Sequence, residues 1–459
     1  MPGAELRREA SYRQGSPFST GIALAIEAVG AAIEVFLLPS VVLAFFVAEL
    51  TPSYTTIGLV PAIATAFWTL GRVPAAIALS GRRRLQPWAF GAAATRAGAI
   101  LILGVFVSRT NVASLGGTAR PLLGAFFLCF IVYALASGFG SVAQEGVIRT
   151  TIKALAWEQF VTLRALWSAA ASLLAAIIVT RVLASAGVVF PANYGRLFII
   201  VAVILIAMAA ALIPLREPVF PAAGTHEMLA ARSMRSLLGN ARWRRFTTFQ
   251  LLFAASGAID PFLFLYAVTR LGLAPASIGT FVIAGVLGWV VTAPLWHAMQ
   301  QKYGPRAVLR SASVLRVVPP AVALVVPQIA ATEQLAAWSA GRVSLGSLYA
   351  VAFVAIGCAL AGQSRAANAY ARTALPAPIA RAGSETINML LIGAAFAPVA
   401  GGAMIQRYGY ETLFVAVAVV ALAAVLLSGT MADSPAMTTN RTREIEPQLG
   451  ILAVSSARG

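Results

Sequence analysis

The sequence predicts an all-helical integral membrane protein with twelve transmembrane helices and both termini in the cytoplasm. Three observations carry that expectation. Of 459 residues, 59% are hydrophobic and only 11% charged, where soluble proteins carry about 25% charged residues. Apolar runs of roughly 20 residues, the length that crosses a bilayer, recur along the whole chain. Basic residues concentrate in alternate loops, as they do in multi-pass proteins. This composition excludes a soluble enzyme, a disordered scaffold and a DNA-binding domain. The net charge of +18 is then read as cytoplasmic loop arginine, with no nucleic-acid partner expected.

Residues 1–20 are polar, hold Arg7, Arg8 and Arg13, and are expected to form a cytoplasmic segment. The run from Gly21 to about Val47 is too long for a signal-peptide core and lacks a small-residue cleavage pattern. It is therefore the first span. Further runs centre on 57–79, 88–107, 121–143, 160–183 and 196–214, then on 246–269, 278–299, 308–331, 343–364, 384–405 and 412–431. Between the two sets lies a basic segment, 215–245. The polar stretch 432–459 has the composition of a disordered tail.

With the N-terminus inside, the cytoplasmic segments carry 23 Lys and Arg and the opposite loops carry 7. Arg82, Arg83, Arg84, Arg149, Lys302, Arg306, Arg310, Arg365 and Arg372 fall on the inner side, and Arg109, Arg120, Arg181, Arg196, Arg270, Arg342 and Arg407 on the outer. That asymmetry sets the orientation.

The two sets of six runs repeat one another. Ala32-Ile33-Glu34-Val35-Phe36-Leu37 matches Ala258-Ile259-Asp260-Pro261-Phe262-Leu263 at an offset of 226. Thr56-Ile57-Gly58 matches Ser277-Ile278-Gly279 at 221, and Tyr194…Phe198 matches Tyr410…Phe414 at 216. Three matches in one order and at nearly constant offset predict two six-helix halves, 21–214 and 246–431.

Two parallel six-helix halves with both ends inside resemble the major facilitator superfamily, over about residues 20–431. The signature loop of that superfamily, Gly-x-x-x-Asp-Arg/Lys-x-Gly-Arg/Lys-Arg/Lys, stands between spans 2 and 3 and again between spans 8 and 9. The second copy here keeps Lys302, Gly304 and Arg306, with Gln301 in place of the Asp. The first keeps Gly81, Arg82 and Arg83, with Ala78 at the acidic position. Asn193-Tyr194…Phe198 and Gly409-Tyr410…Phe414 fit the superfamily's pattern at the entries to spans 6 and 12. The resemblance implies a secondary transporter that alternates access by rocking its halves about a midplane site, with the two signature loops acting as inner gates. It also implies that spans 1, 4, 7 and 10 line the central cavity.

Charges inside spans cost roughly 2.5–3.5 kcal/mol each at a helix centre, which marks them as functional candidates. Glu27 and Glu34 stand seven residues apart in span 1, nearly two turns, on one face and about 10 Å apart along the axis. Arg72 in span 2 falls between them in depth and is their expected counter-charge, either as a permanent Glu27–Arg72 pair or as a partner lost during transport. Asp260 repeats Glu34 in span 7, although Pro261 beside it admits a kink as the reason for that site. Glu34, Glu27, Asp260 and Arg72 are thus the candidate proton-coupling and substrate residues. Arg96 and Arg316, at similar positions in spans 3 and 9, are expected to snorkel or to pair between halves, or else to bind an anion. Trp68, Trp167, Trp289, Phe36 and Phe262 are candidate pocket linings. The small residues Ala169 to Ala171, Ala175, Ala176, Gly393, Pro398, Gly401 and Gly402 are candidates for the sliding surface between halves.

The function expected from all this is proton-coupled transport of a small organic solute, more specifically export, in a bacterial plasma membrane and by a monomer. A symporter or facilitator for a sugar or organic anion is the alternative. A membrane-embedded enzyme is disfavoured by the two lone histidines, His226 and His297, and by short outer loops, a sensor by the short stretch after Asp433, and an ATP-driven pump by the lack of a nucleotide-binding loop. No metal site or cofactor is expected. Cys129 and Cys358 lie in apolar runs and read as small apolar residues.

Overall fold

The computed structural model describes residues 17–79, 82, 84–110, 120–152, 157–185, 189–215, 239–330, 344–374 and 377–431. Every regular element among them is helical. An apolar segment in a bilayer must satisfy its backbone groups internally, and the helix does so within one segment. Eleven helical runs are long and apolar enough to cross a membrane, and the chain is a multi-pass membrane protein.

Spans 1 to 6 are Phe18–Ala48, Tyr54–Ala78, Gln86–Arg109, Arg120–Thr151, Gln159–Leu183 and Ala192–Leu212, and span 7 is Ala241–Thr269. Asn240 caps span 7 by accepting from the backbone N–H groups of Arg242 and Trp243 at 3.0 and 3.2 Å. Span 7 therefore takes the last residues that the sequence pattern assigns to the basic linker. The next run, Pro275–Ile329, is 55 residues long and is broken at Gly304, whose φ of 82° and ψ of 169° suit glycine alone. Phe281, before that break, packs on Phe264 with ring centroids 5.7 Å apart, and Arg316, beyond it, bonds to Asp260. Those two partners in span 7 stand four residues apart, about 6 Å of helix, whereas 35 residues of unbroken helix would separate Phe281 from Arg316 by about 52 Å. The run doubles back, and its limbs are spans 8 and 9. Leu345–Arg372, Thr386–Tyr408 and Tyr410–Gly429 follow as spans 10 to 12.

The halves repeat in their contacts as well as in their sequence. Spans 2 and 4 meet at Gly71 and Gly138, where a Cβ would overlap the carbonyls of Leu135 and Trp68. Spans 8 and 10 meet in the same way, at Gly288 against Val354 and at Gly357 against Gly285. Phe46 at the close of span 1 lies on Tyr194 and Phe198 of span 6, and Tyr266 of span 7 lies on Tyr410 and Phe414 of span 12.

Among the described residues four spans are interrupted, span 9 among them, where the α-helix ends at Leu315 and resumes at Val318. Span 1 loses its α-helix after Phe36 and resumes through a π-turn at Pro39–Leu43. Span 7 tightens to a 3-10 turn at Ser256–Ile259, immediately before Asp260. Span 11 is interrupted at Phe396, where Pro398 prevents an unbroken helix.

Candidate functional site

The end of the bundle that carries the arginine-rich loops, the basic end, differs from the far end in how the halves meet. At the far end one apolar cluster runs through both halves, joining Phe46, Tyr194 and Phe198 to Phe264, Tyr266 and Phe414. Toward the basic end the halves keep separate clusters. The shared cluster continues there only into the first half, through Leu79, Val147 and Leu215, beside a small one of Ala23, Ile148, Ile152 and Phe160, whereas Trp243, Phe246, Phe249, Trp296 and Tyr370 belong to a separate cluster in the second half.

Spans 2 and 11 seal the far end. A Cβ on Gly58 would overlap the backbone at Pro398, and one on Gly402 would overlap the backbone at Tyr54. Thr55 donates to Gln406 at 3.1 Å, and Gln406 donates to Ser53 at 3.4 Å. Across the matching seam between spans 5 and 8, Gly279 lies against the Thr180 side chain. Tyr54 faces Phe262 and Tyr410, and Phe45 faces Phe264. Pro398 and Gly402, expected at a sliding surface, therefore stand in the seam, whereas Gly401 packs inside its own half against Ala258, Phe262 and Leu413.

Below this closure span 1 presents its acids. Glu27 accepts from Gln144 of span 4 at 3.2 Å and from Arg164 of span 5 at 3.3 Å. Its backbone carbonyl accepts from Ser168 at 3.5 Å. The expected Glu27–Arg72 pair is thus corrected. Arg72 donates to Ser141 at 3.1 Å, lies 3.7 Å from Glu145 and stacks over Trp68. Depth alone suggested the wrong pairing, because span 1 packs against span 5 while span 2 packs against span 4. Arg164, the true partner, stands in the sequence as an Arg among apolar residues five positions into span 5.

Glu34 lies seven residues past Glu27, about 20° short of two full turns, so it faces the same way. It is exposed, while Ile33 and Val35 beside it are buried. Among the described residues it forms no ion pair within 4.0 Å, and the charges that act on it are Arg96 and Glu27. Arg96 lies over the Tyr133 ring at 5.4 Å, and its buried Nε has no hydrogen-bond partner.

In the second half the equivalent charges are closed. Arg316 grips both oxygens of Asp260 at 3.1 and 3.0 Å, donates to Ser256 Oγ at 3.2 Å and lies over Phe253. Arg316 is 3% exposed. The expected choices for it, snorkelling, pairing between halves or binding an anion, give way to a pair inside its own half. Nearer the basic end Gln363 donates to Gln250, and Arg365 meets His297.

Of the expected aromatic linings, Phe36 and Phe262 are fully buried in the core, whereas Trp167 and Trp289 are exposed. In the second signature loop Gly304 makes the turn, Lys302 lies over Tyr303, and Gln301 bonds to His297. Arg306 donates to the carbonyls of Ser428 and Gly429 at the end of span 12. In the first loop Arg82 bonds to the Ala78 carbonyl and stacks on Trp88, while Gly81 and Arg83 lie outside the described residues. Among the described residues no group of three or more His, Cys, Asp or Glu could hold a metal ion.

No family model matches the sequence, and no curated protein matches it. Solved structures do match. A mutant of the nucleoside transporter NupG aligns over 90% of this chain and 100% of its own, with a TM-score of 0.68 and 12% identity. A POT family transporter in complex with 5-aminolevulinic acid aligns over 91% of this chain and 98% of its own, at TM-score 0.65 and 13% identity. A D-xylose-proton symporter gives 91%, 98%, 0.63 and 12%. The arrangement of helices is shared with transporters at identities where only the fold is retained.

Proposed function

We propose that this chain, whose fold is that of the major facilitator superfamily, is a secondary transporter that moves a small organic solute against a proton gradient. The observation that supports this most directly is the asymmetric packing of the halves. They share one core at the far end and hold separate cores at the basic end, which is the geometry of one arm of an alternating-access cycle. On the proposed topology of twelve crossings with cytoplasmic termini, the far end is the outer side and the cavity opens inward. The D-xylose-proton symporter among the similar structures supports proton coupling for a chain of this fold.

The proton carrier in this reading is Glu34. A carboxylate held in a low-dielectric cavity binds a proton when its cationic neighbour withdraws and releases it when that neighbour returns. Glu27 is tied to Gln144 and Arg164, and Asp260 is tied to Arg316, so Glu34 is the acid of the three left to cycle. Glu27 with Arg164 and Asp260 with Arg316 cancel as pairs, which leaves Glu34 as the carboxylate open to a solute; in this reading the solute is a neutral or cationic amphipath and the direction is export. The solute and protons are then the partners, with the lipid bilayer as solvent and one chain as the working unit.

The test uses the purified chain twice. A thermal-shift panel of lipophilic cations, sugars and organic anions finds the ligand, because binding to the folded state alone raises the melting temperature. Proteoliposomes with an imposed pH gradient then report whether that ligand accumulates uphill with counter-movement of protons. Accumulation that ignores the gradient overturns proton coupling, and ligands drawn only from the organic anions overturn the acid-lined exporter.

A further inference from the structure

The two halves carry the same acid–arginine couple, and only one copy is closed. Asp260 and Glu34 are related by an offset of 226, and Arg316 and Arg96 by 220. In the second half three neighbours fix the guanidinium. Ser256 accepts from Arg316 Nε at 3.2 Å, Phe253 lies beneath the group, and Gly257 leaves it room, since a Cβ there would come within 2.9 Å of Nη2.

The offset of 226 places Gly30, Glu27 and Ala31 at the positions of Ser256, Phe253 and Gly257. Each exchange weakens the hold. Gly30 has no hydroxyl to accept from the arginine, and a Cβ at that position meets nothing within 4 Å. Glu27 replaces the aromatic face with a carboxylate that is already committed to Gln144 and Arg164. Ala31 adds the methyl that the second half omits. Arg96 accordingly rests on Tyr133 with a buried, unpartnered Nε.

From this contrast we infer that Arg96 is the positioning residue for Glu34, closing on it when the far end opens and parting from it when the far end seals, while Arg316–Asp260 stays closed throughout. The inference rests on the proposed role of Glu34 as proton carrier. The titratable and charged groups around Glu34 are Arg96 from span 3, Tyr133 from span 4 beneath that arginine, Glu27 one step along its own helix, and Arg164 from span 5 bound to Glu27. Arg96 is the cation among them not already bound to a carboxylate in the sealed state.

The sign of the pH effect follows. The far-end-sealed state holds Glu34 apart from its cation and binds the proton, so acid favours sealing and alkali favours opening. The experiment uses the full chain in lipid nanodiscs with Cys129 and Cys358 replaced by Ala and spin labels at Arg120→Cys and Arg270→Cys, which are exposed at the far ends of spans 4 and 7 and outside the seam. The distance between labels is followed from pH 5 to pH 9.

The parent protein is expected to pass from sealed to open through one midpoint as pH rises, and Glu34→Gln is expected to abolish that passage. Arg96→Gln should flatten that passage, because Glu34 then binds its proton alike in both states, and Arg96→Lys should keep it with a shifted midpoint. Gly30→Ser with Ala31→Gly, which rebuilds the grip of the second half, should move it downward. Asp260→Asn with Arg316→Gln should leave it in place. If Glu34→Gln abolishes the passage but the Arg96 variants and the rebuilt grip leave the midpoint unmoved, the role of Arg96 is overturned and the role of Glu34 survives. A parent protein without pH dependence, or one indifferent to Glu34→Gln, overturns both.

Discussion

Arg316 holds Asp260 through both carboxylate oxygens, at 3.1 and 3.0 Å, with its guanidinium almost wholly buried between spans 7 and 9. Removing one partner of such a pair leaves an uncompensated charge in a medium that solvates it poorly. Asp260→Asn alone, or Arg316→Gln alone, is therefore expected to cost about 3–5 kcal/mol. The double neutral variant should recover part of that loss. Melting temperature and monodispersity of the detergent-solubilised variants measure both.

Glu27 and Arg164 provide the contrasting case. The pair is half-exposed, at 23% and 45%, and screened accordingly. A double-mutant cycle with Glu27→Gln and Arg164→Gln should give a coupling of about 0.5–1 kcal/mol. The same cycle with Arg72→Gln in place of Arg164→Gln should give a coupling near zero.

Transport should separate Glu34 from its neighbours. Glu34→Gln is expected to abolish proton-driven accumulation while sparing counterflow exchange, because the amide stands for the protonated acid. Uptake of labelled ligand into proteoliposomes, with and without a pH gradient, reads the two activities apart. Undiminished uphill transport would remove Glu34 from the mechanism.

Gly304 turns the chain between spans 8 and 9 with φ 82° and ψ 169°, a region occupied almost entirely by glycine. Gly304→Ala should cost about 1–3 kcal/mol. A lowered melting temperature with unchanged ligand affinity would identify the cost as local backbone strain.

At the far end Gly58 and Gly402 each bring one backbone against another. Gly58→Val or Gly402→Val should hold the seam apart and favour the open state. Labelling of a cysteine at Gln406 by a membrane-impermeant thiol reagent should then rise several-fold over the parent background.

Much of this fold was legible from apolar run lengths, and the halves from short matches such as Ala32…Leu37 with Ala258…Leu263. Gly304 was legible as part of the signature loop, and its φ of 82° gives the physical reason for a glycine there. The ion pairs were less so. Depth in the membrane can be counted along a sequence, but the angular face of one helix toward another is set by packing. Depth therefore pairs Arg72 with Glu27, whereas packing brings Arg164 to it. The Asp260–Arg316 pair was hidden for the same reason. Each residue was singled out, but nothing in the residue order says that span 9 turns Arg316 toward span 7.

The far-end seam contains glycine, proline, tyrosine, threonine, serine and glutamine, and the contacts described there involve no charged side chain. A seam of that kind closes by fit. Its free energy should be indifferent to ionic strength, even as the Debye length falls from about 30 Å at 0.01 M to about 3 Å at 1 M. It should instead respond to whatever alters the space between helices, such as hydrostatic pressure or the lateral tension of the bilayer.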